Sequence, residues 1–139
     1  MNNTPVFITL IRKFWISSAL CIIILALCFI NTGSLPEAPM TNFDKLVHAL
    51  MFMGLSGAVF FDNTRYLRQA TVGRRIFWGS LLLPVLMGGL IEIVQIFLPY
   101  RSGDWWDFFY DAVGALAGFG ICVWINCWLK KRTRRVCML

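Results

Sequence analysis

Charged residues in this chain are sorted around four apolar runs, and this sorting limits what the chain can fold into. All but two of the thirteen lysines and arginines precede the first run, separate the second from the third, or follow the last. Six of the seven carboxylates fall at the opposite ends of the runs. Such alternation is typical of helices that cross a membrane back and forth. The six acids are Glu37, Asp44, Glu92, Asp104, Asp107 and Asp111.

The composition supports a membrane protein rather than a soluble one. Apolar residues make up 58% of the chain and charged residues only 14%. A length of 139 residues fits a single domain. The net charge of +6 would suggest a nucleic-acid partner in a soluble protein. Here the basic residues lie in the loops and tail, where they anchor a membrane protein on its cytoplasmic side, so no nucleic-acid partner is predicted.

The four runs predict an all-α membrane protein with four transmembrane helices. A membrane span needs roughly 17–25 residues. The third and fourth runs reach this length easily, the first is near the lower limit, and the second is short unless Asn42 to Lys45 form its opening turn. No small-residue cleavage site follows the first run, so we expect it to be retained as a helix. The positive-inside rule places both termini in the cytoplasm and the acids near the outer face. The predicted helices cover about 14–30, 44–61, 76–98 and 104–129, and a basic tail covers 130–139.

One face of the fourth helix changes from acidic to small residues. At 100° per residue, Asp104, Asp107 and Asp111 lie within about 60° of arc, and Gly114 and Gly118 continue the stripe. The Gly-x-x-x-Gly spacing permits close approach of another helix. We therefore predict that this stripe packs against protein and that its acids point into the bundle.

Two other helices carry polar faces at a similar depth. On the third helix, Glu92 and Gln95 share a face with Gly88, and on the second, Asp44 and His48 lie one turn apart. Ionisable groups at membrane depth are costly and usually functional. We predict that these residues form one ligand-binding site near the outer membrane face. The full predicted set is Asp44, Lys45, His48, Glu92, Gln95, Arg101, Asp104, Asp107 and Asp111.

Several of these residues also have structural interpretations. Asp44 and Asp104 could cap helix N-termini, His48 could be a neutral hydrogen-bonded histidine, and Arg101 could be an interfacial anchor. Glu92 lies about 9 Å inside its helix, too deep for a capping role. In the structural interpretation, Glu92 forms an ion pair or hydrogen bond with Lys45, Arg101 or Gln95.

A proline in the third helix has a separate consequence. Pro84 removes one backbone donor and should kink the helix, which frees a carbonyl near Ser80.

The order of short motifs resembles the VanZ-like family of bacterial membrane proteins over about residues 44–118. The motifs are Asp44-Lys45-x-x-His48, Glu92-x-x-Gln95, Arg101 with Asp104 and Asp107, and Gly114-x-x-x-Gly118.

The resemblance implies a bacterial cytoplasmic membrane protein connected with reduced susceptibility to teicoplanin, a glycopeptide that acts on cell-wall precursors. It implies no known reaction. One departure is Asp111, where the family usually has asparagine four residues after the helix acid. This departure adds a charge to the site.

The acidic residues of the predicted site outnumber its basic ones. Lys45 and Arg101 cannot balance five ionised acids, so some acids are protonated, a cation binds, or the pocket holds water. A protonated Glu92 beside His48 would form an acid/base pair. His48, Glu92, Asp107 and Asp111 could form a mixed nitrogen and oxygen shell. Their spacing does not demand a metal, so neither a metal nor a cofactor is assigned.

Three functions remain open from the sequence. The favoured one is a binding protein that holds a membrane lipid, a cell-wall precursor or a partner protein, because the chain shows no nucleotide loop and no obvious nucleophile. The second is an intramembrane enzyme on a lipid-linked cell-wall intermediate. In that case His48 or Glu92 would be the general base, and Asp107 would orient the base or hold a cation. The third is a lipid transporter, which would need to be a homo-oligomer because four helices are few for a transport path.

Overall fold

The described part of the protein is a bundle of four helices. The computed structural model describes residues 12–30, 43–67, 72–99 and 104–136. Within these ranges the chain contains no strand, which confirms the all-helical class. The helices are α1 (Trp15–Phe29), α2 (Phe43–Leu67), α3 (Arg74–Ile96) and α4 (Trp105–Val136).

The helices differ in their fit to a membrane. Three of them, α2, α3 and α4, are long and apolar enough to cross a bilayer. The first, α1, has 15 residues, or about 22 Å at 1.5 Å per residue, which is short for a hydrocarbon core of about 30 Å. Large apolar side chains such as Leu90 and Trp124 are exposed on the outside of the bundle, as expected for helices that face lipid.

Two helices extend beyond their predicted ends. The apolar run predicts that α2 ends at about Phe61, but the helix continues to Leu67. Its first polar residue there, Asp62, is fully buried, so polarity did not mark the helix end. Likewise, α4 continues through the basic residues to Val136 instead of ending at 129.

The closest packing in the bundle joins α4 to α2. A Cβ atom built on Gly114 would collide with the backbone carbonyl of Ala49, and one built on Gly118 would collide with that of Met53. Both glycines are buried. The two backbones therefore lie in direct contact at two points about one turn apart, which is the approach that a Gly-x-x-x-Gly stripe permits.

A compact apolar cluster lies between α1, α2 and α3. Its largest members are Ile24 of α1, Phe52 and Leu55 of α2, and Ile91 of α3, each at most 2% exposed. Side chains of this size bury enough apolar surface to hold α1 onto the other helices.

Buried hydrogen bonds complete the contacts between helices. The Ser56 hydroxyl donates to the carbonyl oxygen of Ser80 over 2.8 Å, and this is the carbonyl that Pro84 leaves without an intrahelical donor. Near the start of α1, the backbone N–H and the hydroxyl of Ser17 both donate to Oδ2 of Asp62, over 2.9 and 2.7 Å. Asp62 of α2 therefore satisfies a backbone donor in the first turn of α1.

Replacing Gly114 by alanine tests the α2–α4 contact. The added methyl group meets backbone rather than a flexible side chain, so we expect a loss of roughly 1–3 kcal/mol or more in the free energy of unfolding in detergent. The matched control is Gly120→Ala, where a Cβ atom meets nothing within 4 Å. It should be neutral or slightly stabilising, and equal losses in the two variants would contradict the packing described here.

Candidate functional site

Seven of the predicted site residues gather where α2 begins, α3 ends and α4 begins. We call this group the polar centre. Burial increases inward, from the exposed Asp44 to the fully buried Asp111. Its members are Asp44, Lys45, His48, Glu92, Asp104, Asp107 and Asp111.

A histidine and a carboxylate form the deepest part of the polar centre. Nδ1 of His48 and Oδ1 of Asp111 lie 2.9 Å apart, with side chains 4% and 0% exposed. The second carboxylate oxygen, Oδ2 of Asp111, is buried and has no hydrogen-bond partner among the described residues. A Cβ atom on Gly88 would lie only 2.8 Å from this oxygen. Gly88 therefore leaves the space that Asp111 occupies between α3 and α4.

Glu92 connects α3 to the start of α4. Its Oε2 accepts the backbone N–H of Asp104 over 3.0 Å, while its Oε1 is buried and without a hydrogen-bond partner among the described residues. The inference that Glu92 lies too deep to cap a helix holds for its own helix only. In the folded bundle it caps the neighbouring one. Two of the partners expected for Glu92 make other contacts. Lys45 contacts Asp104 and Asp107, and Gln95 contacts α1.

Lys45 and two aspartates form the outer edge of the polar centre. The Lys45 ammonium lies 3.4 Å from Oδ2 of Asp104 and 3.9 Å from Oδ1 of Asp107. Oδ1 of Asp104 accepts the backbone N–H of Trp106 over 3.0 Å, so Asp104 also caps α4. This hydrogen bond, together with Lys45, lowers the pKa of the Asp104 carboxyl below its ordinary value.

His48 lies at the centre of two groups of side chains that could bind a cation. Its ligand atom and those of Glu92 and Asp111 lie within 4.8 Å of one another, as do those of Asp44, His48 and Asp107. The arrangement brings most of the predicted carboxylates around one imidazole.

Two predicted site residues are not part of this arrangement. The side-chain amide of Gln95 donates to the carbonyl oxygen of Cys28 over 3.0 Å, so it holds the end of α1 against α3. Arg101 lies outside the described residues.

A cavity of about 230 Å³ opens between α3 and α4 beside the polar centre. Its polar lining comes from Glu92 and Asp104, and the rest is apolar. The cavity could not be predicted from the sequence, because it depends on how two helices pack. The Gly88-Gly89 pair is the one local signal at this position. The apolar lining consists of Gly89, Ile93, Ile96, Trp105 and Phe108.

Three helices are long and apolar enough to cross a membrane, and ionisable side chains lie buried between them. These two features together indicate a polytopic helical membrane protein. The VanZ/LLP1 family model matches residues 4–126, and the chain therefore belongs to the VanZ/LLP1 family. No curated protein and no solved structure matches the chain.

Breaking the His48–Asp111 pair should be costly. Removing one partner leaves the other polar group buried alone, so His48→Ala and Asp111→Ala should each lose about 3–5 kcal/mol of unfolding free energy. The double variant should lose clearly less than the sum of both, since neither partner is then left behind. Asp111→Asn keeps an oxygen acceptor and should lose less than Asp111→Ala. Additive losses in a detergent unfolding titration would contradict a direct interaction.

The lowered pKa of Asp104 predicts a pH-dependent stability. A depressed pKa means that the ionised form stabilises the fold, and this contribution is complete above the ordinary aspartate pKa. It is lost as the pH falls through the depressed value. The difference in melting temperature between wild type and Asp104→Asn should therefore shrink on acidification over this window. A difference that stays constant with pH would show that the charge of Asp104 contributes nothing.

Proposed function

We propose that the protein binds a membrane lipid or a lipid-linked cell-wall precursor at the polar centre, with part of a hydrocarbon chain in the adjacent cavity. The observation that carries this proposal is the two-sided lining of the cavity. Glu92 and Asp104 supply hydrogen-bond acceptors at one side, and apolar residues such as Ile93 and Phe108 supply the other. Ligand pockets commonly combine a few polar groups with an apolar wall in this way.

The size of the cavity fits part of a lipid rather than a whole ligand. Its volume of about 230 Å³ is below the roughly 300–1,000 Å³ usual for complete small-molecule sites. A lipid, in contrast, can leave most of its chains in the bilayer and insert one segment between α3 and α4.

Charge at the edge of the polar centre suits the headgroup of such a lipid. The Lys45 ammonium, 3.4 Å from Asp104, can contact a phosphate, while the nearby carboxylates accept hydrogen bonds from hydroxyl or amine groups. A lipid-linked cell-wall precursor carries such groups. It would also connect this site with the reduced teicoplanin susceptibility that the family resemblance implies.

The charge pattern supports an orientation for this site. Arg12, Lys13 and Arg65 lie together at the other end of the bundle, where the positive-inside rule favours the cytoplasm. With both termini cytoplasmic, the polar centre faces the outer leaflet of a bacterial cytoplasmic membrane, where lipid-linked precursors are consumed.

Native mass spectrometry of the protein released from lipid nanodiscs tests the binding proposal. Wild type should carry a discrete lipid adduct. Gly89→Leu should lose it, because the new side chain enters the cavity beside Phe108. Gly54→Leu makes the same change on α2 at a position where a Cβ atom meets nothing within 4 Å, and it should keep the adduct. A wild type without adducts, or equal adducts in all three proteins, would contradict the proposal.

One observation favours the enzyme as the second candidate. A carboxylate that holds one ring nitrogen of a histidine, as Asp111 holds Nδ1 of His48, is the arrangement of a general base and its orienting group. Under this alternative the orienting residue would be Asp111, which contacts Nδ1 of His48, rather than the Asp107 that the sequence suggested. Incubation of nanodisc protein with extracted envelope lipids distinguishes the two functions. A new lipid mass that forms with wild type and not with His48→Gln would favour the enzyme, whereas binding alone leaves the lipid masses unchanged.

A further inference from the structure

Three buried carboxylate oxygens of the polar centre lack hydrogen-bond partners among the described residues. They are Oε1 of Glu92, Oδ2 of Asp111 and Oδ1 of Asp107. The residues themselves are 6%, 0% and 8% exposed. Buried polar atoms are almost always satisfied in folded proteins, and an unmet buried acceptor is costly. Several such oxygens together therefore indicate a ligand that satisfies them.

Among the described residues, the positive charge near these oxygens does not balance the carboxylates and lies to one side. Among the described residues at this end of the bundle, Lys45 is the only lysine or arginine. It contacts Asp104 and Asp107. Glu92 and Asp111 lie deeper and contact no lysine or arginine among the described residues. His48 is therefore the nearest described side chain that could carry a positive charge beside these carboxylates. A cation bound beside His48 would add positive charge and could coordinate the carboxylates of Glu92 and Asp111, which hold two of the three unmet oxygens.

The geometry points to a metal site, and we infer that His48, Glu92 and Asp111 bind a divalent first-row transition ion such as Mn²⁺ or Zn²⁺. Their ligand atoms lie within 4.8 Å of one another. At metal–ligand distances of about 2.1 Å, neighbouring ligand atoms of a tetrahedral shell are about 3.4 Å apart. Ligand atoms at the 4.8 Å limit would therefore have to approach one another by up to about 1.4 Å, which side-chain rotation can supply.

The donor set selects this class of ion. One imidazole nitrogen with two carboxylates suits zinc, iron or manganese, whereas Mg²⁺ and Ca²⁺ prefer shells made only of oxygen. Glu92 is able to bind through Oε1 while Oε2 keeps its hydrogen bond to the backbone of Asp104. The ion would thus add to the existing contacts without breaking the cap of α4.

The second cation-binding group, Asp44 with His48 and Asp107, is less suited. Asp44 is exposed, and water already satisfies an exposed carboxylate. The group of His48, Glu92 and Asp111 is buried throughout and contains two of the unmet oxygens. Glu92 belongs only to the first group and Asp44 only to the second, so two substitutions distinguish them.

The test measures metal binding by the full chain in detergent without added lipid, after removal of any affinity tag and of bound metal with EDTA. Titration with Mn²⁺, followed by the loss of the free-ion EPR signal, should show one saturable site per chain. Glu92→Gln should weaken binding at least about tenfold, since even loss of an outer-shell partner costs about 10–100-fold. This variant keeps a carbonyl oxygen for the Asp104 N–H, and circular dichroism verifies its fold. Asp44→Asn should bind as wild type does.

Three outcomes would overturn the inference: no saturable Mn²⁺ or Zn²⁺ site in wild type, equal binding by Glu92→Gln, or loss of binding in Asp44→Asn alone. Equal or stronger binding of Mg²⁺ would overturn the assigned class of ion. Because no lipid is present, the result is independent of the proposed function. Saturable metal binding without a lipid adduct would contradict only the lipid proposal, and a lipid adduct without a metal site would contradict only this inference.

Discussion

The backbone contact between α2 and α4 determines the arrangement of the polar centre. Gly114 of α4 lies against Ala49 of α2, and the two residues of the deepest pair in the polar centre are close to this contact in sequence. His48 directly precedes Ala49, and Asp111 lies one turn before Gly114. Close approach of the two backbones therefore brings the imidazole to 2.9 Å from the carboxylate. A larger residue at position 114 would separate the helices and this pair together.

Two carboxylates of the polar centre hold the start of α4 and also line the cavity. Glu92 and Asp104 each accept a backbone N–H at the start of α4, and both line the cavity beside α3. Because hydrogen bonds to the backbone hold these side chains in place, the cavity has a fixed polar side before any ligand arrives. Such preorganisation reduces the entropy that a ligand must lose on binding.

The apolar runs predicted the four helices. Helical periodicity predicted that most site residues share inward faces at a similar depth, and both patterns can be read from spacing along the sequence. Pairing between helices depends on their register and could not be predicted. Gln95 shares a face with Glu92, yet it contacts Cys28 of α1. Asp62 went unnoticed because its partner, Ser17, is 45 residues away. The end of α2 was placed too early for the same reason, since that buried contact makes a polar residue compatible with a continuing helix.

The hydrogen bonds at the two ends of α1 bear on the order in which the bundle assembles. Asp62 of α2 holds its first turn, and Gln95 of α3 holds its last. Because α1 is also short for a bilayer, its backbone groups and its length both depend on helices that follow it in the chain. Insertion of α1 in its final position therefore has to wait until α2 and α3 have been synthesised.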